Sequence, residues 1–128
     1  MKLLFDTHTF IWWDSDPSQL SHQVLELCHN PENTLILSIA TVWEMQIKSQ
    51  LGKLNLALPL DEYVRTQQQA NGFYILPIHL EHVFKLNELP LHHKDPFDRL
   101  LIAQSAIEDA VLLSKDRIFA AYPINVLW

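Results

Sequence analysis

The chain has 128 residues, a formal net charge of −6, 48% apolar residues and 19% charged residues, which is the balance of one globular domain over residues 1–128 rather than a disordered polymer. An acidic total excludes a basic nucleic-acid coat, two glycines exclude Gly-rich phosphate loops, and no apolar run approaches the ~18 residues of a membrane span. The single cysteine, Cys28, excludes an internal disulfide and a Cys-rich zinc site, and with an acid as early as Asp6, too soon for a secretory leader, it points to a reducing cytoplasm.

Leu3-Leu4-Phe5 is the first apolar run and stops at Asp6. Ser21 can cap a helix carrying Val24, Leu25 and Cys28. Thr34-Leu35-Ile36-Leu37 is the second run, and Ser38 after it can cap a longer helix with Ile39, Val42, Trp43 and Ile47, ending near Gly52. Pro59 precedes a helical segment with Leu60, Tyr63 and Val64. Asn71-Gly72 opens a third run, Phe73-Tyr74-Ile75-Leu76, which Pro77 closes. Leu80, Val83, Phe84 and Leu86 form a short amphipathic piece before Pro90. Asp95-Pro96-Phe97-Asp98 starts a helix that reaches about Asp109, with an Asp cap, Pro at the first helical position and an acid in the first turn. Val111-Leu112-Leu113 ends at Ser114, and Asn125-Val126-Leu127 follows as the fifth run. Runs apolar on both faces suit buried parallel strands. Their alternation with helices implies right-handed crossovers and a three-layer α/β/α architecture, with function at the carboxyl ends of the strands.

The acids fall at those ends. Asp6 follows strand one and Asp116 lies just past strand four. Glu44 lies two turns into the helix after strand two. Asp98 lies in the first turn of the helix feeding strand four, with Asp95 at its cap. If strands one and four are neighbours, Asp6 and Asp116 share an edge with the start of the Glu44 helix; periodicity leaves open where the Asp98 helix begins. Two carboxylates ~4 Å apart repel by about 4 kcal/mol at an effective dielectric near 20, so a cation must offset them or protons must be taken up. Oxygen-only ligands select Mg²⁺ or Mn²⁺ over zinc. The pattern points to phosphodiester hydrolysis, with one or two metals lowering the pKa of water and neutralising charge on the phosphate. Lys94, Arg99, Lys115 and Arg117, close to the acids in sequence, are candidate ligands of flanking phosphates. Plainer readings stand beside this one. A strand-end Asp can be a loop acid, Asp116 a turn residue, and Asp95 and Asp98 helix starters; Asp95 is read mainly as the cap and Asp98 mainly as the ligand. Glu44, among Val42, Trp43, Met45 and Ile47, needs a partner wherever it lies.

Four blocks carry a family likeness: Leu4-Phe5-Asp6-Thr7, Ser38-Ile39-Ala40-Thr41-Val42-Trp43-Glu44, Asp98-Arg99-Leu100-Leu101-Ile102-Ala103, and Leu113-Ser114-Lys115-Asp116-Arg117-Ile118-Phe119. In their order and spacing the chain resembles the PIN-domain family, and within it the VapC-like toxin ribonucleases of bacterial toxin–antitoxin pairs. The segment from His93 to Leu101 looks like a marker of one branch. The resemblance implies a sheet ordered 3-2-1-4-5, with strands one and four side by side. It implies Asp6, Glu44, Asp98 and Asp116 as ligands of Mg²⁺ or Mn²⁺. Thr7, Ser38 and Ser114 match hydroxyls that support the carboxylates, Ser114 standing where Thr is commoner. It further implies a single-stranded RNA substrate, a homodimer, and an antitoxin protein whose tail covers the groove.

Other readings compete. Asp6-Thr7-His8-Thr9 is similar to the D-x-D-x-T start of haloacid-dehalogenase-type phosphatases, but His8 stands in place of the second acid. A receiver-like signalling domain expects an acidic pair beside the first strand. A PIN-like module without nuclease activity would bind RNA or a protein partner, although all four acids are retained. His79 and His82, and His92-His93, lack a third metal ligand at a suggestive spacing and read as surface or loop residues, while His8 is a candidate substrate contact. Trp12, Trp13, Trp43 and Trp128 read mostly as core or dimer-contact residues, with base stacking the alternative. Cys28 reads as a small buried hydrophobe.

Overall fold

In a computed structural model describing residues 1–128, the first apolar run is β1 (Lys2–Phe5). The two-residue period sends Leu3 and Phe5 into one core and Leu4 into another. β2 (Thr34–Ser38) does the same, with Leu35 and Leu37 on the side of Leu3, and Ile36 on that of Leu4. β3 (Tyr74–Leu76), β4 (Val111–Leu113) and β5 (Val126–Leu127) complete one sheet in the order β3-β2-β1-β4-β5. Every pairing is parallel, and Leu4 stands opposite Ile36 on one side and Leu112 on the other. This is the order that the family resemblance implies.

Helices cover both faces. α1 (Thr7–Ser15), α2 (His22–His29), α3 (Ile39–Gln50) and α4 (Leu60–Asn71) bury Phe10, Val24, Met45 and Tyr63 in the first core. α6 (Pro96–Glu108) buries Leu101 and Ile102 in the second, and α5 (Leu80–Lys85) packs on α6. Ser21 caps α2 through Val24 N at 3.1 Å, as its position predicts. Cys28 is buried in the first core, and burial pushes its thiol up to about 11, which leaves it an inert filler.

Two expectations change. α1 has no counterpart in the sequence reading: Phe10, Ile11, Trp12 and Trp13 run consecutively without helical spacing, and its one start signal, the Asp6 cap, reads equally as a site acid. In α5 the apolar side chains point outward, with Leu80 72% and Phe84 66% exposed, while His82 is fully buried rather than at the surface. His82 finds polar partners inside: Nδ1 accepts from His79 N at 3.0 Å, and Nε2 faces Glu108 Oε2 at 3.3 Å. The tryptophans fall mostly as read, three of the four packing on the first core, though none is fully buried. Trp43 is 52% exposed, and Trp12, Trp13 and Trp128 are half-buried against the first core, where Trp13 stacks on Phe5 at 4.9 Å.

A buried polar link joins the layers at the carboxyl edge. Ser38 Oγ accepts from Ala40 N at 3.0 Å, capping α3, and donates to Gln104 Oε1 of α6 at 2.5 Å. Gln104 Nε2 donates to the Pro77 carbonyl at 3.2 Å. Ser38→Ala removes a cap, at about 1 kcal/mol, and strips a buried acceptor of its donor, at about 1–3 kcal/mol. The variant is expected to lose about 2–4 kcal/mol of stability by urea denaturation; a loss below about 0.5 kcal/mol would remove the link from the account.

Candidate functional site

Parallel pairing brings the carboxyl ends of β1, β2 and β4 to one edge, so Asp6, Ser38 and Ser114 meet there. Asp6 is only 6% exposed. Its Oδ1 accepts from Thr9 N at 2.8 Å, capping α1, and its Oδ2 accepts from Ser114 Oγ at 2.5 Å. Burial pushes its pKa above the usual carboxylate range, against the pull of the Ser114 and Thr9 hydrogen bonds.

Glu44 is 8% exposed on α3. Its Oε1 accepts from Thr7 Oγ1 at 2.7 Å, and its Oε2 pairs with Lys48 Nζ at 2.7 Å. Asp98 stands in the first turn of α6, with Oδ2 2.7 Å from His93 Nε2. Burial pushes Asp98 up to about 6; His93 opposes the shift, and the negative charges of Asp95 and Glu44 add to it. Asp95 Oδ1 accepts from Phe97 N at 2.9 Å and Asp98 N at 3.0 Å, which is the geometry of a helix cap. Asp116 is exposed and caps the 3-10 turn Arg117–Ala121 through Ile118 N at 3.1 Å.

Asp6, Glu44, Asp98 and Asp116, together with Asp95, line one cavity of about 130 Å³. The loop ahead of α6 therefore carries Asp98 to the same edge as the other three, the point that periodicity leaves open. In this arrangement no three Asp, Glu, His or Cys side chains stand close enough to share an ion. Local partners occupy the carboxylates instead: the Lys48 ammonium on Glu44, the His93 ring on Asp98 and the Ser114 hydroxyl on Asp6. Asp6 and Asp98 titrate high, and burial outweighs repulsion between carboxylates as the cause. The donor set suits a hard divalent cation in kind, being carboxylate and hydroxyl oxygen with no thiolate.

The supporting hydroxyls divide. Thr7 touches Glu44 and Ser114 touches Asp6, whereas Ser38 touches no carboxylate and serves α3 and Gln104 instead. The basic residues divide too. Lys115 is exposed on an adjoining cavity of about 260 Å³, and Arg117 on a further one of about 430 Å³. Lys94 is exposed and lines none of these. Arg99 is a correction: Nη1 donates to the Pro90 carbonyl at 2.9 Å and Nη2 to the Leu86 carbonyl at 3.1 Å, so its guanidinium holds the loop that bears His93 rather than facing a phosphate. Lys48 and His93 went unassigned in the sequence reading. The Glu44–Lys48 spacing of four was available as a helical ion-pair signal; His93 opens the segment that looks like a branch marker, but its contact with Asp98 is not legible from that likeness. His79 and His82 have ring centroids 5.2 Å apart without a third ligand.

The PIN domain family matches residues 3–125. A chain of the DNA-bound VapBC2 complex of Rickettsia felis is 17% identical, with a TM-score of 0.75 over 99% of this chain and 98% of that one. A chain of the DNA-bound VapBC complex of Salmonella typhimurium is 14% identical, at 0.70 over 99% and 97%. A toxin–antitoxin complex of Klebsiella pneumoniae is 22% identical, at 0.65 over 98% and 96%. At these identities the likeness is one of fold. No curated protein matches the chain. No helix is long and apolar enough to cross a membrane.

The folded chain keeps a proton on Asp98 up to about pH 6, whereas the unfolded chain releases it near its ordinary 3.8. That contribution to stability is full below about pH 4 and is lost as pH rises through about 6. Asp98→Asn removes the buried charge, so the cation-free variant is expected to exceed the parent in stability by about 1–3 kcal/mol above neutral pH. The difference should shrink toward pH 4. Urea denaturation in chelator across this range measures it, and a variant no more stable than the parent at about pH 7.5 contradicts the assignment.

Proposed function

We propose, on the premise that the chain belongs to the PIN domain family, that it is a Mg²⁺- or Mn²⁺-dependent endoribonuclease acting on single-stranded RNA, and the toxin of a toxin–antitoxin pair. One observation carries the reading: acids from four separate segments line a single cavity at the carboxyl edge of a parallel sheet. Family membership removes the phosphatase and receiver readings. Asp6, Glu44, Asp98 and Asp116 would hold the cation, with Asp95 fixing the start of α6. When bound, a divalent cation activates water and offsets charge developing on the phosphate.

The chain's own groups do the rest. Ser114 and Thr9 fix the Asp6 carboxylate, Thr7 fixes Glu44, and His93 fixes Asp98. Burial of Asp6 and Glu44 keeps bulk water from screening their charge. Lys115, Arg117 and Lys94, all exposed, are left to hold RNA phosphates beside the cut. Water is the nucleophile, so no side chain need attack. An antitoxin partner is supported by the toxin–antitoxin complexes that share the fold. A homodimer in the cytoplasm belongs to the same proposal, and the outward Leu80 and Phe84 supply apolar surface for a chain contact.

One observation favours a second reading. Glu44 and Asp98 already have partners in Lys48 and His93, as in a module that binds RNA without cutting it. Incubating labelled RNA with Mn²⁺ or with EDTA separates the two: the nuclease cuts only with Mn²⁺, and the inert module binds intact RNA in both. Asp6→Asn is expected to lose cleavage by more than about 10- to 100-fold, the range that even an outer partner of a metal ligand commands, while its unfolding midpoint stays equal to or above the parent's. Cleavage at the parent rate would contradict the role of Asp6.

A further inference from the structure

We infer that the cavity beside the acidic pocket is a nucleobase subsite, in which Trp12 stacks on a base flanking the phosphate to be cut; the inference rests on the nuclease reading above. This cavity, about 260 Å³, has Asp6, His8, Trp12, Lys115 and Asp116 as its walls. It shares Asp6, His8 and Asp116 with the acidic pocket, so its occupant lies next to the reacting group. Its volume falls below the ~300–1,000 Å³ of pockets for larger ligands and suits one flat ring system.

Charge sorts which part of a nucleotide enters. Two of the five walls are carboxylates and repel a phosphate, whereas a neutral base meets no such penalty. The one cation, Lys115, is exposed and stands where a backbone phosphate can stay in water. Beyond it, Lys115 and Asp116 also line the next cavity, together with Arg117 and Trp128, which continues the same path.

Trp12 is the single apolar wall, and it is held in place. Trp128 meets it edge to face at 6.2 Å and 63°, and the His8 ring lies 5.6 Å from it at 39°. A pre-ordered indole loses little freedom when a base lands on it. Every base has a π face, so this contact adds affinity without reading sequence.

The test measures binding of a short single-stranded RNA in chelator, where no cutting occurs, by fluorescence anisotropy. Trp12→Ala is expected to weaken binding roughly five- to a hundredfold and Trp12→Phe to retain most of it. In parallel, single abasic residues are moved along the RNA. One position is expected to cost the parent the same factor and to cost Trp12→Ala nothing further. Should Trp12→Ala fail to fold, Trp12→Leu, which keeps bulk against Trp128, carries the same comparison. An abasic scan flat on the parent, or equal losses in parent and variant, overturns the subsite even if the chain cuts RNA with Mn²⁺. Position-specific coupling to Trp12 in a chain that never cuts supports the subsite and removes the nuclease reading instead.

Discussion

Drawing negative charge out of water at one sheet edge is the constraint from which the rest of the site follows. Asp6 and Glu44 are buried and Asp98 is half-buried, and an unpaired buried carboxylate is too costly to persist. Each therefore has a dedicated neighbour: Ser114 for Asp6 and Thr7 for Glu44 from distant segments, and Lys48 for Glu44 and His93 for Asp98 from close by in the chain. Where compensation is incomplete, the proton affinity rises, as at Asp6 and Asp98.

Helix caps and cavity walls are the same side chains. Asp6, Asp95 and Asp116 each accept from backbone N–H groups opening a helix or a 3-10 turn. The helix starts and the acids are thereby placed by one set of hydrogen bonds. Arg99 extends this economy: by binding the carbonyls of the 86–93 segment, it fixes the loop that delivers His93 to Asp98.

The strands and the acids were legible because the apolar runs end sharply, three of the five at a polar residue: Phe5 at Asp6, Leu37 at Ser38 and Leu113 at Ser114. The capped helices α2, α3 and α6 were legible for the same reason. α1 was not, since its apolar residues are contiguous and its cap doubles as a site acid. Local pattern could not show that Arg99 turns toward carbonyls, which depends on how the 86–93 segment folds back on it, or that His82 is buried, which depends on Gln104 and Glu108 further along the chain. The hydroxyl of Ser38 was placed correctly as a cap, but its second partner is 66 residues away. Strand order came through the family resemblance, not from the periodicity of the runs. The fold is shared at 14–22% identity with toxin–antitoxin complexes, and chemistry on such a scaffold rests on the residues of this chain.

The central claim is that these carboxylates converge on one hard cation. Diffraction at the manganese absorption edge from crystals soaked in Mn²⁺ tests it most directly. An anomalous peak is expected among Asp6, Glu44, Asp98 and Asp116, with Glu44 drawn off Lys48 and Asp98 off His93. No peak there, with the Glu44–Lys48 and Asp98–His93 contacts intact at saturating Mn²⁺, would contradict it.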